Sequence, residues 1–387
     1  MKIPYGKQSI NQDDIDSVVQ ILKSDWLTQG PTIESFENVA IRHNGSKYAL
    51  AVNSATSALH IACKALGLSK GDILWTSPNT FAASSNCALY CEASVDFVDI
   101  DEETFNMCNY KLEEKLKIAS KKNALPKIVV PVHFGGASCD MEYIFKLSKE
   151  YGFSIIEDAS HAVGGTYSGS YVGSCKYSDV TVFSFHPVKI LTTGEGGIAF
   201  TNNKEIADKM ALYRTHGISR DASKMHNNIH GDWYYEQLVL GLNYRITDIQ
   251  AALGISQYKR LDNFVKIRND IAKIYTDRLV DLPLATQKIL SSAYSSYHLY
   301  VLKFLEQDHI DNKREIFNFL RKNGIGVNVH YIPVHTHPYY KKLGFDWGDF
   351  PNSENYYYSA ISIPMYPDLS MDEQGYVIDK LKESLNL

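Results

Sequence analysis

Between residues 47 and 201 the chain carries a series of short apolar runs, with segments of helical periodicity between most of them. The runs are KYALAVN, DILWTS, VDFVDI, KIVVPVH, FSIIED, VTVFSF and GIAFT. Each is long enough for a strand, too short for a helix, and rich in β-branched or aromatic residues. Strands separated by helices are joined by crossovers rather than tight hairpins, so the pattern predicts an α/β unit with a mostly parallel sheet. Such sheets collect ligands at the C-terminal ends of their strands, which is where chemistry is to be sought.

From about residue 251 the pattern changes. The periodicity predicts one long amphipathic helix over ITDIQAALGISQYKRLDNFVKIRNDIAKIYTDRL and a strand at SYHLYVLKF. A helix at KREIFNFLRKNG, a strand at GVNVHYIP and a closing helix at MDEQGYVIDKLKESL follow. The chain is therefore divided into a large α/β domain, residues 1–250, and a smaller C-terminal α+β domain, residues 251–387. In the N-terminal helix NQDDIDSVVQILKSD, Ile15, Val18, Val19 and Leu22 share one face, and the early acids suit a helix start. Ser54 is a plausible cap for SATSALHIACKALG, and Gly67 its stop.

Composition narrows the class. Hydrophobic residues at 44% and charged residues at 21% are those of a globular protein, and a net charge of −5 argues against a general nucleic-acid surface. The six cysteines show no CxxC or metal-finger spacing, so reduced thiols, a cytoplasmic setting and no metal are expected. The opening MKIPYGKQSINQDD has no apolar core, so no secretory leader is predicted, and no apolar run approaches the ~20 residues of a membrane span.

Two positions stand out at strand ends. In FSFHPVKILTTGEGG, Lys189 follows an apolar run and precedes a glycine-rich turn; a lysine there is commonly solvated, but it could also join a carbonyl cofactor covalently. Asp158 ends FSIIED, where a carboxylate either caps the next helix or keeps a cofactor's ring nitrogen protonated. The turn NSATSAL offers backbone N–H groups and hydroxyls to an anion at a helix start, and Ser184 could add another hydroxyl. Phe81 in TFAASSNCAL could stack on an aromatic ring, or be a core residue.

These motifs, with WLTQGP, VDFVDID, EDASHA, RTHGI, GLNYRITDIQAALG, VHYIPVH and SIPMYP in this order, resemble the DegT/DnrJ/EryC1/StrS family of pyridoxal-phosphate sugar aminotransferases almost end to end. The resemblance implies the fold type I, aspartate-aminotransferase-like architecture. It implies that Lys189 bonds the cofactor and that Asp158 pairs with the pyridine nitrogen. Phe81 matches the aromatic that covers the ring, and His161 the Gln or His beside the ring hydroxyl. Ala55, Thr56 and Ser184 match the phosphate cradle, and Asn243 an asparagine that reaches the cofactor of the neighbouring protomer, which implies a homodimer. Tyr5, Asp25, Trp26, Leu27, Thr28, Asn328, His330 and Tyr331 match sugar-nucleotide contacts.

NSATSAL, DASHA, FHPVK and WYYEQ are most similar to the pseudaminic acid branch of that family. That branch aminates C4 of a UDP-linked 4-keto-6-deoxy-L-sugar, with glutamate the expected donor. Relatives that dehydrate at C3 carry histidine in place of the lysine, so Lys189 favours amination. Another 3-keto or 4-keto sugar, on the way to perosamine, bacillosamine or a legionaminic precursor, is the alternative substrate. A non-catalytic sugar-nucleotide-binding regulator is the alternative from another class.

Overall fold

The computed structural model describes residues 2–227 and 230–386. The apolar runs form a central sheet of β1 (Tyr48–Val52), β2 (Ile73–Thr76), β3 (Ser94–Phe97), β4 (Ile128–Val130), β5 (Ser154–Asp158), β6 (Val180–Ser184) and β7 (Gly197–Thr201). Its seven strands lie in the order β1-β7-β6-β5-β4-β2-β3. Only β7 runs antiparallel to its neighbours; the pairings among β2 to β6 are parallel. Every residue of β6 and β7 is buried, as expected of strands covered on both faces.

The pleat sorts alternate residues to opposite layers. Val180 and Val182 pack with Leu59 and Ile61 of α1 (Ala55–Ala65), Cys87 of α2 (Ala83–Tyr90) and Met210 of α3 (Lys204–Arg214). Phe183 and Ile198 face the other way, toward Phe36 of the helix Pro31–Asn44 and Ala251 of α4 (Asp248–Tyr258). Ser54 caps α1 by accepting from the N–H of Ser57, and Gly67 follows its end with φ of +76°.

A second, antiparallel sheet joins β8 (Leu284–Thr286), β9 (Tyr300–Phe304) and β10 (Ala360–Ile363) in the order β8-β9-β10. The helices Lys313–Lys322 and Met371–Ser384 cover it, and Ile3 from the N-terminus completes its core.

Two expectations are corrected. The long helix predicted over residues 246–279 is broken, with α4 ending at Tyr258 and α5 (Leu261–Leu279) starting afresh. No glycine or proline marks the break. Its cause is tertiary, because Gln257 and Arg260 both reach back to Asp14 and to the carbonyl of Ser9. Past the break, Leu261, Phe264 and Val265 pack in the first core, while Ile271, Ala272, Tyr275 and Leu279 pack in the second.

GVNVHYIP is an extended segment rather than a strand. Ile325 bridges Ile3 and Asn328 bridges Ser362, after which the chain leaves the sheet. It crosses to the loop after β2, where Tyr331 N–H donates to Asn79 Oδ1 at 3.2 Å and Val334 N–H to Pro78 O at 2.9 Å. The N-terminal helix, Gln12–Leu22, forms where expected, but its apolar face is not covered by this chain. Ile15, Val19 and Leu22 are 48%, 37% and 56% exposed, and the buried residue of the helix is Asp14.

Candidate active site

The C-terminal ends of β5 and β6, the start of α1 and the crossing segment 328–331 enclose a cavity of about 780 Å³. Lys189 enters it from the turn between β6 and β7. That turn is fixed by its own hydroxyls: Thr192 Oγ1 donates to Phe185 O at 2.9 Å and accepts from Gly194 N–H at 2.9 Å. Burial of Lys189 pulls its ammonium group down to about 8, with the Asp158 carboxylate acting the other way. An amine so placed is half-unprotonated at about pH 8 and keeps a free-base fraction at neutrality.

Asp158 ends β5 and is 5% exposed. Its Oδ2 accepts from Ser84 Oγ at 2.6 Å and its Oδ1 from the N–H of Ser160 at 3.2 Å. Behind it, Glu157 and His133 form a buried pair, Nε2 to Oε2 2.7 Å. Burial alone would push the His133 imidazolium down, but Cys139 and Glu157 beside it hold it up, at about 10.

His161 lies one turn beyond Asp158. Its Nδ1 accepts from Gly135 N–H at 3.3 Å, and its Nε2 lies 3.0 Å from the Tyr331 hydroxyl. Burial, then the charges of Lys189 and His330, hold its pKa well below the usual histidine value. The ring is therefore neutral, and the network assigns its proton to Nε2, which donates to Tyr331. Burial likewise raises the Tyr331 phenol, with Asp158 and Tyr5 adding to it.

The residues expected to hold a phosphate come together at the start of α1. Ala55, Thr56 and Ser184 all line the cavity. Gly197 of β7 makes this possible: a Cβ there would stand 2.4 Å from Ala55 N and 2.5 Å from the Ser54 carbonyl carbon. Any side chain would displace the helix start. Phe81 is 64% exposed at the cavity wall, with its ring 6.3 Å from that of Tyr331. A first-turn anion site, a buried carboxylate, an open aromatic face and a desolvated amine fit a phosphorylated pyridine aldehyde.

Among the expected sugar-nucleotide contacts, Tyr5, Asn328, His330 and Tyr331 line the same cavity. Tyr5 and His330 rings are 5.5 Å apart, and Asn328 Nδ2 is 3.3 Å from His330 Nε2. His330 is driven down to about 3, by burial first and by Lys189 second. Asp25, Trp26, Leu27, Thr28 and Asn243 are not among the lining residues. Trp26 and Leu27 are 54% and 48% exposed, Thr28 bridges Thr247, and Asn243 bridges Thr215.

Two residues at the centre were missed by sequence reasoning. Ser84 was an unremarked serine in a helix start, and its hydrogen bond to Asp158 spans 74 positions. His298 was read only as part of a strand, yet its Nε2 lies 3.5 Å from Lys189 Nζ. A polar residue inside an otherwise apolar run, YHLYVLKF, was the available signal.

The chain is 40% identical over 384 residues to the spore coat polysaccharide biosynthesis protein SpsC of Bacillus subtilis, covering 98% of this chain and 96% of that one. It is 39% identical over 382 residues to the UDP-4-amino-4,6-dideoxy-N-acetyl-β-L-altrosamine transaminase of Campylobacter jejuni, again covering 98% and 96%. The structure of PseC from Helicobacter pylori, an aminotransferase of pseudaminic acid biosynthesis, superposes with a TM-score of 0.92 at 30% identity over 100% of both chains. Solved structures of this fold exist in pyridoxal phosphate and pyridoxamine phosphate forms. With residues 8–382 matched, the chain belongs to the DegT/DnrJ/EryC1/StrS aminotransferase family and is a pyridoxal-phosphate-dependent sugar aminotransferase of fold type I.

Proposed function

We propose that the enzyme transfers the amino group of L-glutamate to C4 of UDP-2-acetamido-2,6-dideoxy-β-L-arabino-hex-4-ulose, giving UDP-4-amino-4,6-dideoxy-N-acetyl-β-L-altrosamine. The observation that carries this reading is the convergence of Lys189, Asp158, Tyr5, Asn328, His330 and Tyr331 on one cavity, in a chain 39% identical to a transaminase named for that product.

When bound, pyridoxal phosphate supplies the electron sink for a carbanion beside the transferred nitrogen. The chain's own residues do the rest. The start of α1 binds the phosphate, and Phe81 covers the ring. Asp158, with Ser84 fixing its carboxylate, keeps the ring nitrogen protonated. Lys189 Nζ takes the proton from the donor's α-carbon and later delivers one to C4 of the sugar, for which its ammonium group must lose its proton near neutral pH. Uridine and diphosphate supply affinity, because the 4-keto sugar carries no carboxylate.

The reading includes a homodimer in the cytoplasm. The uncovered face of Ile15, Val19 and Leu22 with exposed Trp26 and Leu27 suits burial against a second copy. That arrangement also gives Asn243 a role outside its own cavity. Among the described residues no helix is long and apolar enough to cross a membrane.

Coupled turnover of the UDP-4-keto-6-deoxy-L-sugar with glutamate, with the configuration at C4 read by NMR, tests the assignment. The likeness to SpsC, 40% against 39%, supports a second reading, a different 3-keto or 4-keto nucleotide sugar. Turnover of a panel of such sugars, with no product from the L-arabino substrate, would select it.

A further inference from the structure

His298 has the features of a group kept for its nitrogen rather than its bulk. It is 4% exposed, its Nε2 is 3.5 Å from Lys189 Nζ, and its Nδ1 has no partner among the described residues. If the site only needed filling, a phenylalanine would do so without burying an unpaired nitrogen.

Its position is also fixed from several sides. Arg268, fully buried on α5, donates from one nitrogen to the carbonyls of Tyr297, His298 and Met365 at 3.1, 3.4 and 3.0 Å. The next residue, Leu299, donates its N–H to Gly135 O at 3.1 Å, and Ser296 Oγ donates to His161 O at 2.8 Å. The His298 ring lies 4.4 Å, centroid to centroid, from that of His161.

We propose that His298 is a positioning residue for the reacting amine: its Nε2 accepts a hydrogen bond from Lys189 Nζ and holds the amine in place whenever it is free. The groups bearing on this contact are the Asp158 carboxylate, the His161 and His330 imidazoles, the Tyr331 phenol, and Arg268 behind His298. Burial, then Lys189, His161, Arg268 and His330, keep His298 uncharged. An uncharged acceptor can hold the amine in both protonation states; a carboxylate in its place would trap the proton on it. With Nε2 accepting, the proton of the imidazole resides on Nδ1.

The inference rests on Lys189 being the reacting amine, but its test does not need turnover. Cofactor-free protein is pulse-labelled with acetic anhydride across a pH series, and acetylation of Lys189 is read by peptide mass spectrometry. The wild-type midpoint is expected near 8. In His298→Phe the ammonium form loses its acceptor, so the midpoint falls by about one pH unit. His298→Gln restores an oxygen acceptor and returns the midpoint to the wild-type value, whereas His298→Asp raises it by at least about one unit.

A wild-type midpoint in His298→Phe overturns the proposal. Should that variant fail to fold, identical midpoints for wild type and His298→Asp overturn it instead. Failure of the underlying reading looks different: borohydride would then trap no cofactor on Lys189, whatever the midpoints.

Discussion

The Tyr331 hydroxyl stands 3.0 Å from Nε2 of His161, and this contact joins residues 170 positions apart. His161 follows β5 of the first sheet, and Tyr331 lies on the segment that leaves the second. The hydrogen bond therefore ties together the cofactor wall and the wall expected to meet the sugar nucleotide.

Tyr331→Phe removes that contact while keeping the ring. One neutral hydrogen bond is worth about 1 kcal/mol, so the dissociation constant of the cofactor is expected to rise about fivefold. Absorbance titration of cofactor-free protein with pyridoxal phosphate measures it. An unchanged constant would detach Tyr331 from the cofactor wall.

Lys189→Ala and Lys189→Arg should abolish turnover with the thermal midpoint preserved, because neither can form the bond to the cofactor. Borohydride reduction followed by mass spectrometry should find the adduct on the Lys189 peptide in wild type and on no peptide of either variant. Near-normal activity in either one would remove the lysine from its role.

Ser84→Ala takes from Asp158 a charge-assisted donor at 2.6 Å. Such bonds contribute about 1.5–3 kcal/mol, so kcat is expected to fall at least about tenfold. Ser84→Thr, which keeps the hydroxyl, should recover part of the loss. Steady-state kinetics with glutamate as the varied substrate discriminates these outcomes.

Glu157→Gln should destabilise the protein by about 3 kcal/mol, because it leaves His133 buried without its anion. The pH dependence has a definite sign. The His133 contribution is complete below the ordinary value of 6.5 and disappears as pH rises through about 10. The Glu157 contribution, from a carboxyl held low, is complete above 4.5 and fades at more acid pH. Thermal melts from pH 6.5 to 10 should show wild type losing more stability than the variant, so that the gap between them narrows.

The parallel sheet was legible because its strands are buried on both faces and so stand out as unbroken apolar runs. Asp158 stood out because it ends such a run, and Lys189 because it lies in the turn just after one. The break at residues 259–260 was not, since it is imposed by Gln257 and Arg260 reaching a segment some 240 positions away. GVNVHYIP has the alternation of a strand, but it pairs with β10 only at Asn328 and Ser362, after which Tyr331 and Val334 bond to Asn79 and Pro78 instead. His298 and Ser84 were hidden for the same reason, as their meaning lies in partners that only the fold supplies.

The chain passes between its two cores more than once: Ile3 sits in the second, the strands of the large sheet build around the first, and α5 runs through both. Two lobes linked by a single strap could open like a book, but here a wide swing would have to shear a continuous helix and pull the N-terminal residues from their seat. Substrate entry is then a matter of side chains and surface loops yielding, and the machinery around Lys189 stays assembled between turnovers.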